Sequence, residues 1–247
     1  MTNADEYRSF LCDKRAELVQ RIADACSRAG RDASEVTLLA VSKTVGVDEV
    51  ALAYEAGYRC FGENRPQELK RKVAFVRETP GMDDVSYHMI GNLQKNKINQ
   101  VLGNADLVHS VSSEHLAKAI SQRAVARDMR VRCLLETNVS GESSKSGFSA
   151  DEVLRVIDEV MAMEGIELEG LMTMAPAYDL DAARSTFCGL RELRDELRTR
   201  TGLGLDTLSC GMSDDFEVAI EEGSTLVRLG RIVFDPSYAA WGGQTST

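Results

Sequence analysis

The chain has 247 residues, with 39 aspartates and glutamates against 29 lysines and arginines, a formal net charge of −10. That balance excludes nucleic-acid binding by bulk electrostatics, though it leaves room for a local basic pocket that takes a phosphate. Hydrophobic residues make up 43% and charged residues 28%, a globular composition, and the length fits one α/β barrel with a sizeable core.

The first predicted element is a long amphipathic helix over residues 5–29, with Leu11, Leu18, Ile22, Ala25 and Ala29 on one stripe and Gly30 as its stop. Short apolar runs then alternate with helical segments. The runs cover 37–43, 59–62, 87–91, 107–111, 131–139, 167–174, 207–210 and 225–229. Helices are expected over 48–56, 66–77, 95–102, 113–127, 151–163, 182–201 and 214–222. Ser149 and Glu152 form a capping-box pattern ahead of the helix at 151.

Eight β/α units in sequence predict a single parallel (β/α)8 barrel. A doubly wound open sheet is the alternative, but it calls for a glycine-rich turn after the first strand, where this chain has Ser42-Lys43-Thr44. The expected organisation is a helical extension over 1–30, a barrel over 31–241 and a frayed tail over 242–247. No stretch approaches the roughly 20 apolar residues that span a bilayer, and Met1–Tyr7 has neither the basic nor the apolar part of a signal peptide. Cys12, Cys26, Cys60, Cys133, Cys188 and Cys210 form no C-x-x-C pair and read as reduced, mostly buried thiols of a cytoplasmic protein. His88, His109 and His115 lack the clustering of a metal site.

Function in a barrel collects at the carboxyl ends of its strands. The first of these ends carries Lys43, closing the run Leu38-Leu39-Ala40-Val41-Ser42-Lys43. One reading is an amine whose head reaches water. The other is an amine that forms an imine with an aldehyde, pyridoxal phosphate being the best candidate. The last two ends suit a phosphate: Ser209 offers a hydroxyl, Gly230 permits close approach, and the Gly230 and Arg231 amides can donate. The segment Ser209–Ser213 also reads as an ordinary turn and helix cap, and Asp214 and Asp215 should then point away from an anion. Arg228, flanked by apolar residues, is expected in the barrel mouth. It would either pair with Glu63 or Glu136, or face a pyridine nitrogen as a donor that does not give up its proton. The polar loop Ser140–Phe148 lacks the spacing of an ATP-binding loop. Gln94-Lys95-Asn96-Lys97 reads as a solvated helix start rather than an RNA patch.

These residues resemble the pyridoxal phosphate homeostasis proteins, the YggS/PROSC-like family. The resemblance rests on Leu39–Thr44, Phe61-Gly62-Glu63-Asn64, His88–Lys97, Ser143–Gly147, Gly170-Leu171-Met172, Gly211–Asp215 and Gly223–Gly230, in the family's order. It implies a fold-type III barrel like the N-terminal domain of alanine racemase, holding pyridoxal 5'-phosphate as a Schiff base on Lys43. It further implies that Asn64 and His88 line the cofactor pocket. Ser209, Gly230 and Arg231 take the phosphate positions, and Arg228 that at the ring nitrogen. The family implies a cytoplasmic monomer acting in vitamin B6 balance, with apo-enzymes as partners. Two departures stand out: Arg231 replaces a usual threonine or serine, and Val233-Phe234-Asp235 replaces Ile-Phe-Gly. An amino-acid racemase of the same fold type is the alternative function. It needs a second acid/base group that a separate domain supplies in alanine racemase, and neither Tyr87 nor Tyr178 matches that position. A lysine-dependent aldolase would place its lysine later in the barrel.

Overall fold

The computed structural model describes residues 4–142 and 146–239. Eight strands close into one barrel in chain order, every neighbouring pair parallel: β1 Thr37–Val41, β2 Cys60–Glu63, β3 Ser86–Met89, β4 Leu107–Val111, β5 Val131–Glu136, β6 Ile166–Met172, β7 Thr207–Ser209 and β8 Leu226–Leu229. Closure is made by β1 against β8, with Leu38 opposite Val227, Leu39 opposite Arg228 and Ala40 opposite Leu229. The strand bodies are apolar without alternation because the barrel interior covers one face and the helices cover the other. Leu39, Ala40 and Val41 are accordingly all buried.

The helices are α1 Ala4–Arg28, α2 Val47–Glu55, α3 Pro66–Glu78, α4 Ile98–Val101, α5 Glu114–Val125, α6 Ala150–Met161, α7 Leu180–Thr201, α8 Phe216–Glu221 and α9 Arg231–Phe234. Pro66 opens α3 at a position where a missing amide proton costs nothing. The Ser149/Glu152 capping box at α6 is present in both directions, at 3.2 and 2.8 Å. The predicted helix over 95–102 begins instead as a 3-10 turn over Lys95–Lys97 before α4. Two strands are shorter than expected by two residues or more. β1 stops at Val41, so Lys43 lies in the turn beyond it, and β5 stops at Glu136. The four-residue α9 is too short to leave a periodic signature in the sequence.

α1 lies along the outer ring beside α2, α8 and α9. Leu11, Leu18, Ile22 and Ala25 form its buried stripe, joined to the main core. Tyr7 Oη donates to the Phe234 carbonyl at 2.8 Å, which ties the first turn of α1 to the last helix. The expected tail over 242–247 lies outside the described residues.

Candidate functional site

A cavity of about 550 Å³ opens at the carboxyl ends of the strands. Its volume is in the range of small-molecule sites. A larger cleft of about 700 Å³ sits among the starts of β1, β7 and β8 on the opposite face. Its arginines are consumed by neighbouring carboxylates: Arg198 with Asp206 at 2.6 Å, Arg191 with Glu222 at 2.8 Å and Arg31 with Glu35 at 3.1 Å. The carboxyl-end cavity is different. Lys43 lines it, is exposed, and makes no hydrogen bond or ion pair among the described residues.

The turn that carries Lys43 is fixed from below. Lys72, in the second turn of α3 and 1% exposed, sends Nζ into the space between the ends of β1 and β2. It donates to the Ser42 carbonyl at 2.6 Å and to Glu63 Oε1. The same oxygen accepts from Ser42 Oγ at 3.2 Å, and Glu63 Oε2 accepts from the Asn64 amide at 3.2 Å. Glu63 is 0% exposed. Its charge is therefore met by one cation, one hydroxyl and one amide, which a buried carboxylate requires. Lys43 and Asn64, both on the cavity wall, directly follow Ser42 and Glu63 in sequence. Gly91, on the neighbouring loop, is obligatory: a Cβ there would stand 2.3 Å from the Asn64 carbonyl oxygen.

Arg228 enters the cavity floor from β8 with 6% exposure. Its NH1 donates to the Ser209 carbonyl at 2.7 Å and to Ser209 Oγ at 2.6 Å, and NH2 donates to the Thr173 carbonyl at 3.0 Å. No ion pair forms with either expected carboxylate. Glu63 is held by Lys72, and Glu136, also on the cavity wall, accepts from Ser146 Oγ at 2.6 Å. Burial lowers the Arg228 pKa from its ordinary value, with Cys210, Asp215 and Glu136 acting the other way. Its starting value is high enough that it remains a cation, able only to donate. Its Nε has no partner among the described residues.

Ser209 and His88 do not line the cavity. Ser209 is 0% exposed, and its hydroxyl is occupied by Arg228 and by His109 Nδ1 at 2.8 Å. It ends β7 pointing into the barrel, beneath Arg228 rather than above it. The hydroxyl on the wall at this corner belongs to Ser213, four residues on. Gly211 makes the intervening turn with φ +94°, and a Cβ there would lie 2.7 Å from the Ala219 Cβ. Ser213 Oγ accepts from the Ile232 amide at 3.4 Å and sits beside Gly230 and Arg231, which also line the cavity. His88 lies inside the barrel, its Nδ1 2.9 Å from His109 Nε2. Burial pushes His88 down to about 4 and His109 well below the ordinary histidine value.

Asp214 and Asp215 line the cavity instead of turning away from it, and both carboxylates are engaged. Asp214 pairs with Arg231 at 2.7 Å and accepts from Tyr238 Oη, while Asp215 Oδ1 accepts from the Met212 amide at 2.6 Å. The Arg231 guanidinium also lies 5.0 Å from the centre of the Tyr238 ring. Of the two tyrosines, Tyr178 is on the cavity wall, whereas Tyr87 is buried against Phe61. Ser143, Ser144 and Lys145, part of the family-like segment over 143–147, lie outside the described residues. Among the described residues no cluster of histidine, cysteine or carboxylate could hold a metal, and no helix is long and apolar enough to cross a membrane.

Sequence reasoning missed His109, Lys72 and Ser213 as parts of this assembly. His109 and Lys72 gave no local signal, because each finds its partner across the barrel or from the outer ring. Ser213 was legible, since it belongs to the Gly211–Asp215 segment that carried the resemblance.

Residues 16–237 match the family model described as alanine racemase, N-terminal domain. This barrel with a strand-end lysine in its carboxyl-end cavity is of that class. Proteins named pyridoxal phosphate homeostasis protein from Aquifex aeolicus and Pseudomonas aeruginosa are 38% and 39% identical, over 90% and 92% of this chain and 96% and 95% of theirs. PipY of Synechococcus elongatus PCC7942, solved with PLP bound, is 29% identical with a TM-score of 0.79, covering 91% of this chain and 99% of that one. An alanine racemase of Clostridium difficile shares the fold at a TM-score of 0.69 and 17% identity, over 93% of this chain but 58% of its own. The chain belongs to the pyridoxal phosphate homeostasis protein family.

Two outcomes follow for stability. Lys72→Met strands the buried Glu63 carboxylate and should cost about 3–5 kcal/mol in chemical denaturation, and Lys72→Met/Glu63→Gln should recover part of that loss. The pH dependence is set by histidines that are neutral when buried. In the unfolded chain they take up a proton below about pH 6.5, while folded His88 does so only near 4. The contribution of His88 is therefore complete above about pH 6.5 and falls, by up to about 1.4 kcal/mol per pH unit, as the pH drops towards 4. Denaturation midpoints against pH should show this slope, and His88→Gln should remove the His88 share of it, leaving that of His109.

Proposed function

We propose that the chain holds pyridoxal phosphate in the carboxyl-end cavity as a carrier for intracellular vitamin B6 balance. The observation that carries this reading is one pairing: a primary amine with no partner among the described residues, Lys43, and a donor-only guanidinium, Arg228, line the same cavity. The donor set fits the cofactor at three points. Lys43 is the amine for the aldehyde. Arg228 is the donor for the ring nitrogen. Ser213, Gly230 and the backbone of Arg231 receive the phosphate, with Asn64 on the opposite wall. Ser209 and His88 act from behind Arg228 rather than by direct contact.

Bound pyridoxal phosphate supplies an aldehyde that joins an amine and a ring that withdraws electrons from it. The residues here favour holding over reacting. Arg228 offers the ring nitrogen a hydrogen bond without giving up its proton, and a neutral ring is a weaker electron sink. The homeostasis names of the relatives support the same choice, and the PLP-bound PipY supports the cofactor. The protein would work in the cytoplasm as a monomer, with apo-enzymes that need the cofactor as recipients.

The phosphate corner accounts for the unusual Arg231. Its side chain is held by Asp214 and Tyr238, so its charge is balanced within the protein and its amide carries the contact. Arg231→Thr should then leave the cofactor Kd within about tenfold by absorbance titration, an energy change of about 1.4 kcal/mol at most. The site itself is tested by adding pyridoxal phosphate, reducing with borohydride and mapping the modified peptide. A single pyridoxyl label on Lys43, absent in Lys43→Ala, is the expected result. A protein that takes up no label, or takes it on surface lysines only, contradicts the reading.

A further inference from the structure

A continuous line of polar side chains crosses the interior of the barrel beneath the cavity. Arg228 NH1 meets Ser209 Oγ at 2.6 Å, and Ser209 Oγ meets His109 Nδ1 at 2.8 Å. His109 Nε2 meets His88 Nδ1 at 2.9 Å. His88 Nε2 then lies 3.2 Å from Ser86 Oγ and 3.6 Å from Cys60 Sγ. Ser86 Oγ donates to Asp106 Oδ2 at 3.0 Å. Asp106 is exposed, at the amino-terminal end of β4. The line thus runs from a buried cation at the cavity floor to a carboxylate in water on the far side.

The protons on this line are determined by its two ends. Arginine has no acceptor, so Ser209 Oγ must accept from it. The one hydroxyl proton of Ser209 then goes to His109 Nδ1, its remaining partner. His109 is 0% exposed and two contacts from a guanidinium, so it carries one proton, which must sit on Nε2. That proton points at His88 Nδ1 and leaves the His88 proton on Nε2, directed at Ser86 Oγ, which accepts it and donates onward to Asp106. Every donor points the same way, and in a low-dielectric interior such bonds polarise one another. Reversing any one ring would leave two donors or two lone pairs facing each other at about 2.9 Å.

We propose that Ser209, His109 and His88 are positioning residues that hold Arg228 as a fixed donor towards the cofactor ring, through a one-way hydrogen-bonded chain anchored by Asp106 at the opposite face of the barrel. The positioning role rests on the reading of the cavity as the pyridoxal phosphate site; the chain itself does not. The chain explains why two neighbouring histidines are buried in the barrel interior. It also explains why Arg228 needs no carboxylate: the negative charge that complements it lies at the end of the chain.

The test has two parts. The first uses the cofactor-free protein, with ring nitrogens labelled with nitrogen-15 and read by long-range nitrogen–proton NMR at neutral pH. Both His88 and His109 should carry their proton on Nε2 with Nδ1 as the acceptor. Either ring protonated on Nδ1 overturns the chain. The second part reads the absorption band and Kd of bound pyridoxal phosphate. Ser209→Ala cuts the chain next to Arg228 yet leaves the guanidinium its two carbonyl acceptors. It should move the band and weaken binding at least threefold. Asp106→Asn, at the exposed end and outside the cavity, should move the band in the same direction by less, and serves as the second variant should Ser209→Ala fold poorly. A general loss of packing would lower the melting temperature without moving the band of the molecules that still bind. A wild-type band and Kd in both variants overturns the positioning role. A wild-type protein that binds no cofactor defeats the cavity reading instead, and the ring protons still decide the chain.

Discussion

The arrangement of the site depends on one buried ion pair, Lys72 with Glu63. A single carboxylate gathers α3, the carboxyl end of β1 and the carboxyl end of β2, through Nζ, a hydroxyl and an amide. The two residues that follow these anchors in the chain, Lys43 and Asn64, face the cavity. Taking two charges out of water is costly, and an apolar pair of similar volume would often be as stable. What the pair adds is direction. Lys72 is spent on structure, while Lys43 has no partner among the described residues. The pair also fixes the turn backbone at Ser42, so the Lys43 side chain starts from a defined point.

Arg228 organises the other half of the cavity by a different means. Its two terminal nitrogens rest on main-chain carbonyls of Ser209, the last residue of β7, and Thr173, the residue after β6. A carboxylate partner such as Glu136 would have competed with any ligand for the guanidinium. Carbonyl and hydroxyl acceptors orient it without cancelling its charge. At the rim the opposite solution appears: Arg231 is neutralised by Asp214 and covered by Tyr238. The buried arginine keeps its charge available and the exposed one does not, which is the division expected of a site that meets a ring below and a phosphate at its edge.

The barrel was readable because its strands are buried on both faces and leave continuous apolar runs, as in 37–43 and 107–111, separated by periodic helices. Boundaries were less so. The run ending in Lys43 looks like uninterrupted strand, yet the ladder stops at Val41, since nothing in composition marks where pairing ends. Lys43, Asn64, Arg228, Gly230 and Arg231 were found at the cavity because each sits at or just beyond the end of a strand. Ser209 was assigned to the phosphate on the same logic and lies inside the barrel instead, because a three-residue strand leaves the facing of its last side chain undetermined by pattern. His109 and Lys72 were silent in the sequence: the first bonds to Ser209, 100 positions away, and the second is an ordinary lysine on a helix until the fold brings Glu63 to it.

In the proposed reading one cavity receives the aldehyde at Lys43, the ring at Arg228 and the phosphate at Ser213 and Gly230. A crystal structure of the protein after addition of pyridoxal phosphate tests it most directly. The expected result is density continuous with Lys43 Nζ, the ring nitrogen within hydrogen-bond distance of Arg228, and the phosphate against Ser213 Oγ and the Gly230–Arg231 backbone. Cofactor density attached to another lysine, or a phosphate bound away from the Ser213 corner, would contradict it.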